Sequence, residues 1–126
     1  MSNVRVRFAP SPTGYLHVGS LRTALYNYLF AKKQGGTYIL RIEDTDQKRY
    51  VEGAIESLVR SLDIMHVGAS EGVLLKNNAV AEQGEYGPYQ QSKRLPLYKA
   101  EAEKLVSSGK AYRCFCTPER LTVIRE

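Results

Sequence analysis

Between Val4 and Leu62 the chain alternates strand-like and helix-like periodicities, and this order restricts its fold more than any other feature. Val4-Arg5-Val6-Arg7-Phe8 alternates apolar with charged residues and stops at Pro10, the pattern of a short strand with one covered face. Leu21, Ala24, Leu25, Tyr28 and Leu29 then recur at helical spacing, ending near Lys32-Lys33 and closed by Gly35-Gly36. The two lysines suit the negative end of the helix dipole. Thr37-Tyr38-Ile39-Leu40-Arg41-Ile42 is rich in β-formers and predicts a second strand, and Val51, Ala54, Ile55, Leu58, Val59 and Leu62 make a second helical stripe. Strand, helix, strand, helix in that order is the pattern of an α/β fold with parallel strands and right-handed crossovers.

Beyond Leu62 the pattern weakens. Residues 66–91 are Gly/Asn-rich and mixed in charge, longer than an ordinary connection, and are expected to form an exposed excursion. Tyr98, Ala102, Leu105 and Val106 predict a helix closed by Gly109, Ala111-Tyr112-Arg113-Cys114-Phe115 a strand, and Thr117-Pro118 the capped start of a last helix. With 126 residues, 43% apolar and 25% charged, the chain has the composition of one globular core. No apolar run approaches the length needed to span a bilayer, and the start lacks the apolar block of a secretion signal, so a cytoplasmic location is expected.

The charge is unevenly placed. Residues 1–50 hold 8 Lys/Arg against 3 Asp/Glu, and residues 51–126 hold 10 against 10, so the first segment carries the whole excess of +5. A basic surface of this kind attracts polyanions such as nucleotides or RNA, or simply keeps the chain soluble.

Two groups of residues carry chemistry. The first is the loop Pro10-Ser11-Pro12-Thr13-Gly14-Tyr15-Leu16-His17-Val18-Gly19-Ser20, between the first strand and the first helix. Two prolines stiffen it, Gly14 permits a tight turn, and Gly19 removes a side chain that would keep a ligand from the backbone. A helix start after such a loop offers unpaired N–H groups and a positive dipole end to a phosphate, and His17 adds a donor suited to a phosphate oxygen. It is neither a Walker A loop nor the dinucleotide glycine fingerprint. Taken alone, His17 reads equally well as an ordinary histidine near a helix cap. The second group is Glu43-Asp44-Thr45-Asp46, placed just past a strand, where open α/β sheets bind ligands. Acids inside a basic segment suit a cationic partner such as an amino group or Mg²⁺. Glu43 is the candidate for an ammonium, while Asp44 and Asp46 are expected to cap the next helix and pair with Lys48 or Arg49.

The strings Arg7-Phe8-Ala9-Pro10-Ser11-Pro12-Thr13-Gly14, Leu16-His17-Val18-Gly19 and Arg22–Leu29 resemble the opening of bacterial-type glutamyl-tRNA synthetases. His17-Val18-Gly19-Ser20 is similar to the HIGH signature of class I aminoacyl-tRNA synthetases, with Ser20 in place of the last histidine. Arg41–Asp46 and Gly87–Arg94 match further strings of the family, so the resemblance covers nearly the whole chain. It departs at a tryptophan missing near Ile64, at Ser70-Glu71-Gly72, and at an apparent insertion around Val73–Gln83.

The resemblance implies a Rossmann-type nucleotide-binding fold, of which residues 1–126 are the N-terminal portion of the catalytic domain. It implies ATP-dependent activation of L-glutamate, with Mg²⁺, to glutamyl-adenylate, then transfer to the 3′ end of tRNA(Glu) by an intact, monomeric protein. Residue by residue, Arg7, Ala9, Ser11 and Glu43 would bind glutamate, with Arg7 on a carboxylate and Glu43 on the α-amino group. Thr13, Gly14, His17 and Gly19 would contact ATP, with His17 and Gly19 as the catalytic pair, and Thr45 and Arg49 would lie near the tRNA acceptor end. Residues 110–126 would open a zinc-binding or acceptor-stem insertion. There Cys114 and Cys116 are either a zinc half-site whose partners lie beyond Glu126 or plain thiols, since a closed site needs about four ligands. A tRNA-modifying paralogue, which carries Ile where Thr45 stands, and a non-catalytic nucleotide- or RNA-binding module are the alternatives.

Overall fold

A computed structural model describes residues 4–126; residues 1–3, part of the stretch read for a secretion signal, lie outside the described residues. The chain divides into two compact units, Met1–Arg94 and Leu95–Glu126. The first contains β1 (Arg5–Phe8), α1 (Val18–Lys33), β2 (Thr37–Leu40), a 3₁₀ turn (Gln47–Arg49), α2 (Ala54–Ile64), β3 (Glu71–Lys76), β4 (Ala79–Gln83) and a second 3₁₀ turn (Gln91–Arg94). The second contains α3 (Leu95–Ser107) and α4 (Pro118–Arg125).

The sheet order is β1-β2-β3-β4, with β1, β2 and β3 parallel and β4 antiparallel to β3. This is the α/β arrangement with parallel strands expected from the strand–helix alternation, and it agrees with the Rossmann-type fold that the resemblance implies. Because successive strand side chains point to opposite faces, Phe8, Tyr38 and Leu40 share one face and meet Ala24 and Ala31 of α1 and Leu58, Val59 and Leu62 of α2 in one core. Leu40, Ile42 and Leu62 are fully buried, each contributing about 1.5–3 kcal/mol by leaving water. The opposite side of β1 carries Arg5 and Arg7. The helical stripe of α1 is displaced from its expected place: Ala24 and Ala31 are the buried positions, while Leu25 and Leu29 are exposed. Small side chains are what let α1 lie close to the sheet.

Two expectations are corrected. Residues 66–91 are not an exposed excursion throughout, because β3 joins the parallel sheet and places Val67, Val73 and Tyr89 in the core. Gly72 lies at φ +101°, and a Cβ there would sit 2.1 Å from the carbonyl oxygen of Leu40, so a glycine is required where the strands approach. Glu71, though nearly buried, is neutralised by Arg5 Nη2 at 2.6 and 2.8 Å and accepts from Tyr89 Oη at 2.6 Å. An acid and a glycine at interior positions hide the strand from any reading by hydrophobic alternation. Asn77 and Asn78, both in the left-handed region, turn the chain into β4, and the longest exposed runs of this segment are residues 76–80 and 82–87.

The second correction is in the second unit. Ala111–Phe115 forms no strand, and Tyr112 and Phe115 are 87% and 89% exposed. The helices there follow expectation. Gly109, at φ +71°, ends α3 with its N–H on the carbonyl of Val106, followed by Lys110 N–H on Leu105. Thr117 Oγ1 accepts from Arg120 N–H and Pro118 occupies the first turn of α4. No helix among the described residues is long and apolar enough to cross a membrane.

Candidate functional site

At the carboxyl end of β1 the chain enters the proline loop, and main-chain hydrogen bonds hold that loop against the end of β2. Arg41 N–H donates to Phe8 O, Glu43 N–H to Pro10 O and Val51 N–H to Pro12 O, at 3.0, 2.9 and 3.0 Å. A proline has no N–H to give, but its carbonyl remains, and here both prolines serve as acceptors. The loop so fixed borders an open cleft of about 450 Å³ lined by Ala9, Ser11, Thr13, Gly14, His17 and Ser20 among others. Five of the residues singled out from the sequence therefore line one cavity.

His17 is the N-cap of α1, in extended backbone conformation, and it is solvent-exposed and not packed into the core. Its Nδ1 accepts from Ser20 N–H at 3.4 Å, and its Nε2 lies 2.9 Å from Ser20 Oγ. Ser20, standing where the family signature ends in histidine, thus orients the ring. Gly19 has a more particular role than admitting a ligand. A Cβ on it would come within 3.1 Å of His17 Cε1 and 3.2 Å of Nδ1, so the glycine makes the seat for the imidazole. Gly14, by contrast, has open space around it. A helix start of this kind, with no acid in its first turn, presents free N–H groups and a positive dipole end to the cleft.

On the other side of the loop, Arg7 Nη1 and Arg41 Nη2 both donate to Oε1 of Glu43, at 2.8 and 2.5 Å. Among the described residues nothing donates to Oε2. The three side chains carry a net charge of +1 and are each about a third to a half exposed, so the pairs add only about 0–1 kcal/mol to stability. Their use lies in geometry: one carboxylate oxygen is fixed and the other is left with its lone pairs. Arg41 was not singled out from the sequence, because a basic residue inside a strand pattern reads as a solvated position.

The remaining acids divide. Asp46 does pair with Arg49, which donates from Nε at 2.7 Å; that hydrogen bond holds the Asp46 carboxyl below its usual range. It does not cap α2, whose N-cap is Gly53 at φ 75° with no side-chain hydrogen bond. Asp44, expected to do the same, is buried and bound to Gln90 and Ser92. Thr45 and Arg49 lie exposed just past the strand end.

In the second unit, hydrogen bonds from Cys116, first from its backbone and then from its side chain, hold the exposed Cys114 thiol below its usual value. Two sulfurs supply half of a closed zinc site. No group of three or more His, Cys, Asp or Glu arranged for a metal occurs among the described residues.

A mostly parallel sheet with a histidine-headed helix start and a strand-end acid beside it defines the class of α/β proteins that take ligands at the carboxyl ends of their strands. The family model of tRNA synthetases class I (E and Q), catalytic domain, matches residues 3–126, and the chain belongs to that family. It is 60% identical over its full length to the glutamate–tRNA ligase of Alkaliphilus metalliredigens, and 62% identical over 98% of its length to that of Clostridioides difficile. The chain spans 26% and 25% of those two relatives, so it corresponds to about a quarter of their length. Among solved structures it resembles a glutamate tRNA ligase from Elizabethkingia meningosepticum in complex with its amino acid, with TM-score 0.82 and 48% identity, covering 98% of this chain and 23% of that one.

Proposed function

We propose that this chain supplies the amino-acid and nucleotide half-site of a glutamate–tRNA ligase. The observation that carries the reading is how Glu43 is held: two arginines take one carboxylate oxygen and leave the other without a donor among the described residues. An ammonium, with three N–H donors and no acceptor, is the group that such an oxygen binds. Arg7, half exposed at the same place, offers a guanidinium fork to a carboxylate of the same ligand. Ala9 and Ser11 lie on the loop between these groups and His17, and Thr13, Gly14 and Gly19 complete the nucleotide side.

The reaction then follows from placement. An oxygen of the glutamate α-carboxylate attacks the α-phosphorus of ATP, the α–β phosphoanhydride bond breaks, and pyrophosphate leaves with the electron pair. The products are glutamyl-adenylate and pyrophosphate. The helix start and His17 hold phosphate oxygens as charge moves onto the leaving group, and Mg²⁺ carried by ATP shares that charge. A ribose hydroxyl at the 3′ end of tRNA(Glu) next attacks the acyl carbon, the acyl–phosphate C–O bond breaks, and AMP leaves with the electron pair while the hydroxyl proton passes to its phosphate or to water, with Thr45 and Arg49 beside the incoming strand. No side chain becomes a nucleophile; catalysis is positioning and electrostatics. Cys114 and Cys116 would form half of a zinc site, completed by ligands outside this chain; metal analysis finding no zinc in a protein of the relatives' length would remove that assignment.

The test is glutamate-dependent exchange of pyrophosphate into ATP. A protein of the relatives' length carrying this segment is expected to catalyse it and to lose at least about 100-fold on Glu43→Gln, which removes the ammonium's charged acceptor. The 126-residue chain alone is expected to bind ATP weakly and to show no exchange. An exchange-active protein indifferent to Glu43→Gln would overturn the assignment.

A further inference from the structure

We propose that Asp44 is a positioning residue for the amino-acid site, clamping the Gln90-Gln91-Ser92 segment to the strand end that carries Glu43; this rests on the reading of Glu43 given above. Asp44 is 3% exposed, yet it is surrounded by neutral donors: Gln90 Nε2 and Ser92 Oγ donate to Oδ2 at 2.7 and 2.6 Å, and Ser92 N–H donates to Oδ1 at 2.8 Å. All three bonds are received by the carboxylate, and an ionised carboxylate receives them more strongly than a neutral group would. Asparagine, its nearest isostere, keeps the shape but not the charge: its NH₂ would face Gln90 Nε2 and Ser92 Oγ, both of which must then reverse into acceptors, and the charge-assisted bonds are lost.

The clamp closes on residues 41–43 from one side. Ile42 N–H donates to Tyr89 O at 2.9 Å and Gln91 N–H donates back to Ile42 O at 2.8 Å, a parallel bridge. From the other side the proline loop holds Arg41 and Glu43 through Phe8 and Pro10. The 88–94 segment is itself stiff. Glu82 accepts from Tyr89 N–H and from Lys93 Nζ, both at 2.7 Å, and Arg94 donates to the carbonyls of Pro88 and Tyr86. Asp44 therefore transfers the rigidity of that segment, and of the β3–β4 hairpin behind it, to its neighbour Glu43. Sites that work by positioning lose about 100-fold for a displacement of about 1 Å, which is why such a brace matters to function.

Asp44→Asn and the milder Ser92→Ala test this in the 126-residue chain, by amide hydrogen exchange and by L-glutamate and ATP titrations followed by NMR. Asp44→Asn is expected to speed exchange at Ile42, Glu43 and Gln91 by about 10-fold or more while amides in the middle of α1 keep their rates. Ser92→Ala should act at the same amides to a smaller extent. L-glutamate affinity is expected to fall about 10-fold with ATP affinity within about twofold, a split that general loss of structure would not produce. Unchanged exchange at those three amides, or equal acceleration in α1, would overturn the proposal, and Ser92→Ala decides it by the same pattern where Asp44→Asn does not fold. A native chain that takes no L-glutamate would overturn the Glu43 reading, whereas the exchange pattern judges the clamp independently.

Discussion

Replacing Gly19 by alanine should leave the fold nearly as stable while weakening nucleotide binding, and the two effects can be weighed from the geometry. The new Cβ would meet the His17 ring at 3.1 and 3.2 Å, tighter than ordinary contact, so the imidazole must swing away by a few tenths of an ångström or more. The Nδ1 acceptor for Ser20 N–H is already long at 3.4 Å and would be lost. Losing an N-cap bond costs about 1 kcal/mol. Alanine in place of glycine in a helix returns about 1 kcal/mol. The two nearly cancel, so the melting temperature should move by less than about 4 °C. Binding has no such offset. A displaced ring forfeits a hydrogen bond to a charged phosphate worth about 1.5–3 kcal/mol, or roughly a 10- to 100-fold rise in the dissociation constant for ATP. Circular dichroism melts and an NMR titration with Mg-ATP measure both. A melting temperature lowered by about 10 °C, or an ATP affinity untouched by the substitution, would show that Gly19 does not seat the His17 ring for a phosphate.

Other perturbations follow from the same contacts. Gly72→Ala combines a left-handed backbone at φ +101° with a Cβ 2.1 Å from the Leu40 carbonyl oxygen, and should cost at least about 3 kcal/mol, read as a lower urea midpoint. Acid should destabilise the first unit through three carboxylates. Glu71 is held low by the hydrogen bond from Arg5; in Asp44 and Glu82 burial pushes upward, but hydrogen bonds from Ser92 and Gln90, or from Lys93 and Tyr89, outweigh it. All three folded values lie below the ordinary ones, so their stabilisation is complete above about pH 4 to 5 and is lost as pH falls through the lowered values. Urea midpoints measured from pH 6 to pH 3 should decline, and less steeply in Ser92→Ala.

The strand–helix alternation, the proline loop and the strand-end acids were legible in the sequence because each follows from local pattern: period, turn residues and position past a strand. The hairpin was not. Its interior strand begins with Glu71-Gly72, a charge and a bare backbone, and their burial depends on Arg5 and Leu40 more than 30 residues away in sequence. Asp44 was misread for a related reason. An acid near a helix start favours capping by local rules, but its donors Gln90 and Ser92 arrive from the other end of the unit and bury it. Arg41 was missed because its role exists only once the end of β2 brings it to Glu43 beside Arg7. The strand expected at Ala111–Phe115 had the right residues but, among the described residues, no partner strand to pair with.

The start of α1 and the Glu43 carboxylate are expected to receive the two halves of one ligand. Titrating the isotopically labelled chain with a non-hydrolysable glutamyl-adenylate analogue, followed by amide shifts, measures this directly. The predicted result is saturable change at Ser11, Gly14, His17 and Gly19 together with Arg7 and Glu43, abolished by Glu43→Gln for the amino-acid half. Shifts confined to residues remote from the cleft, such as Asp63, Gly68 and Gln83 between α2 and the hairpin, would contradict it.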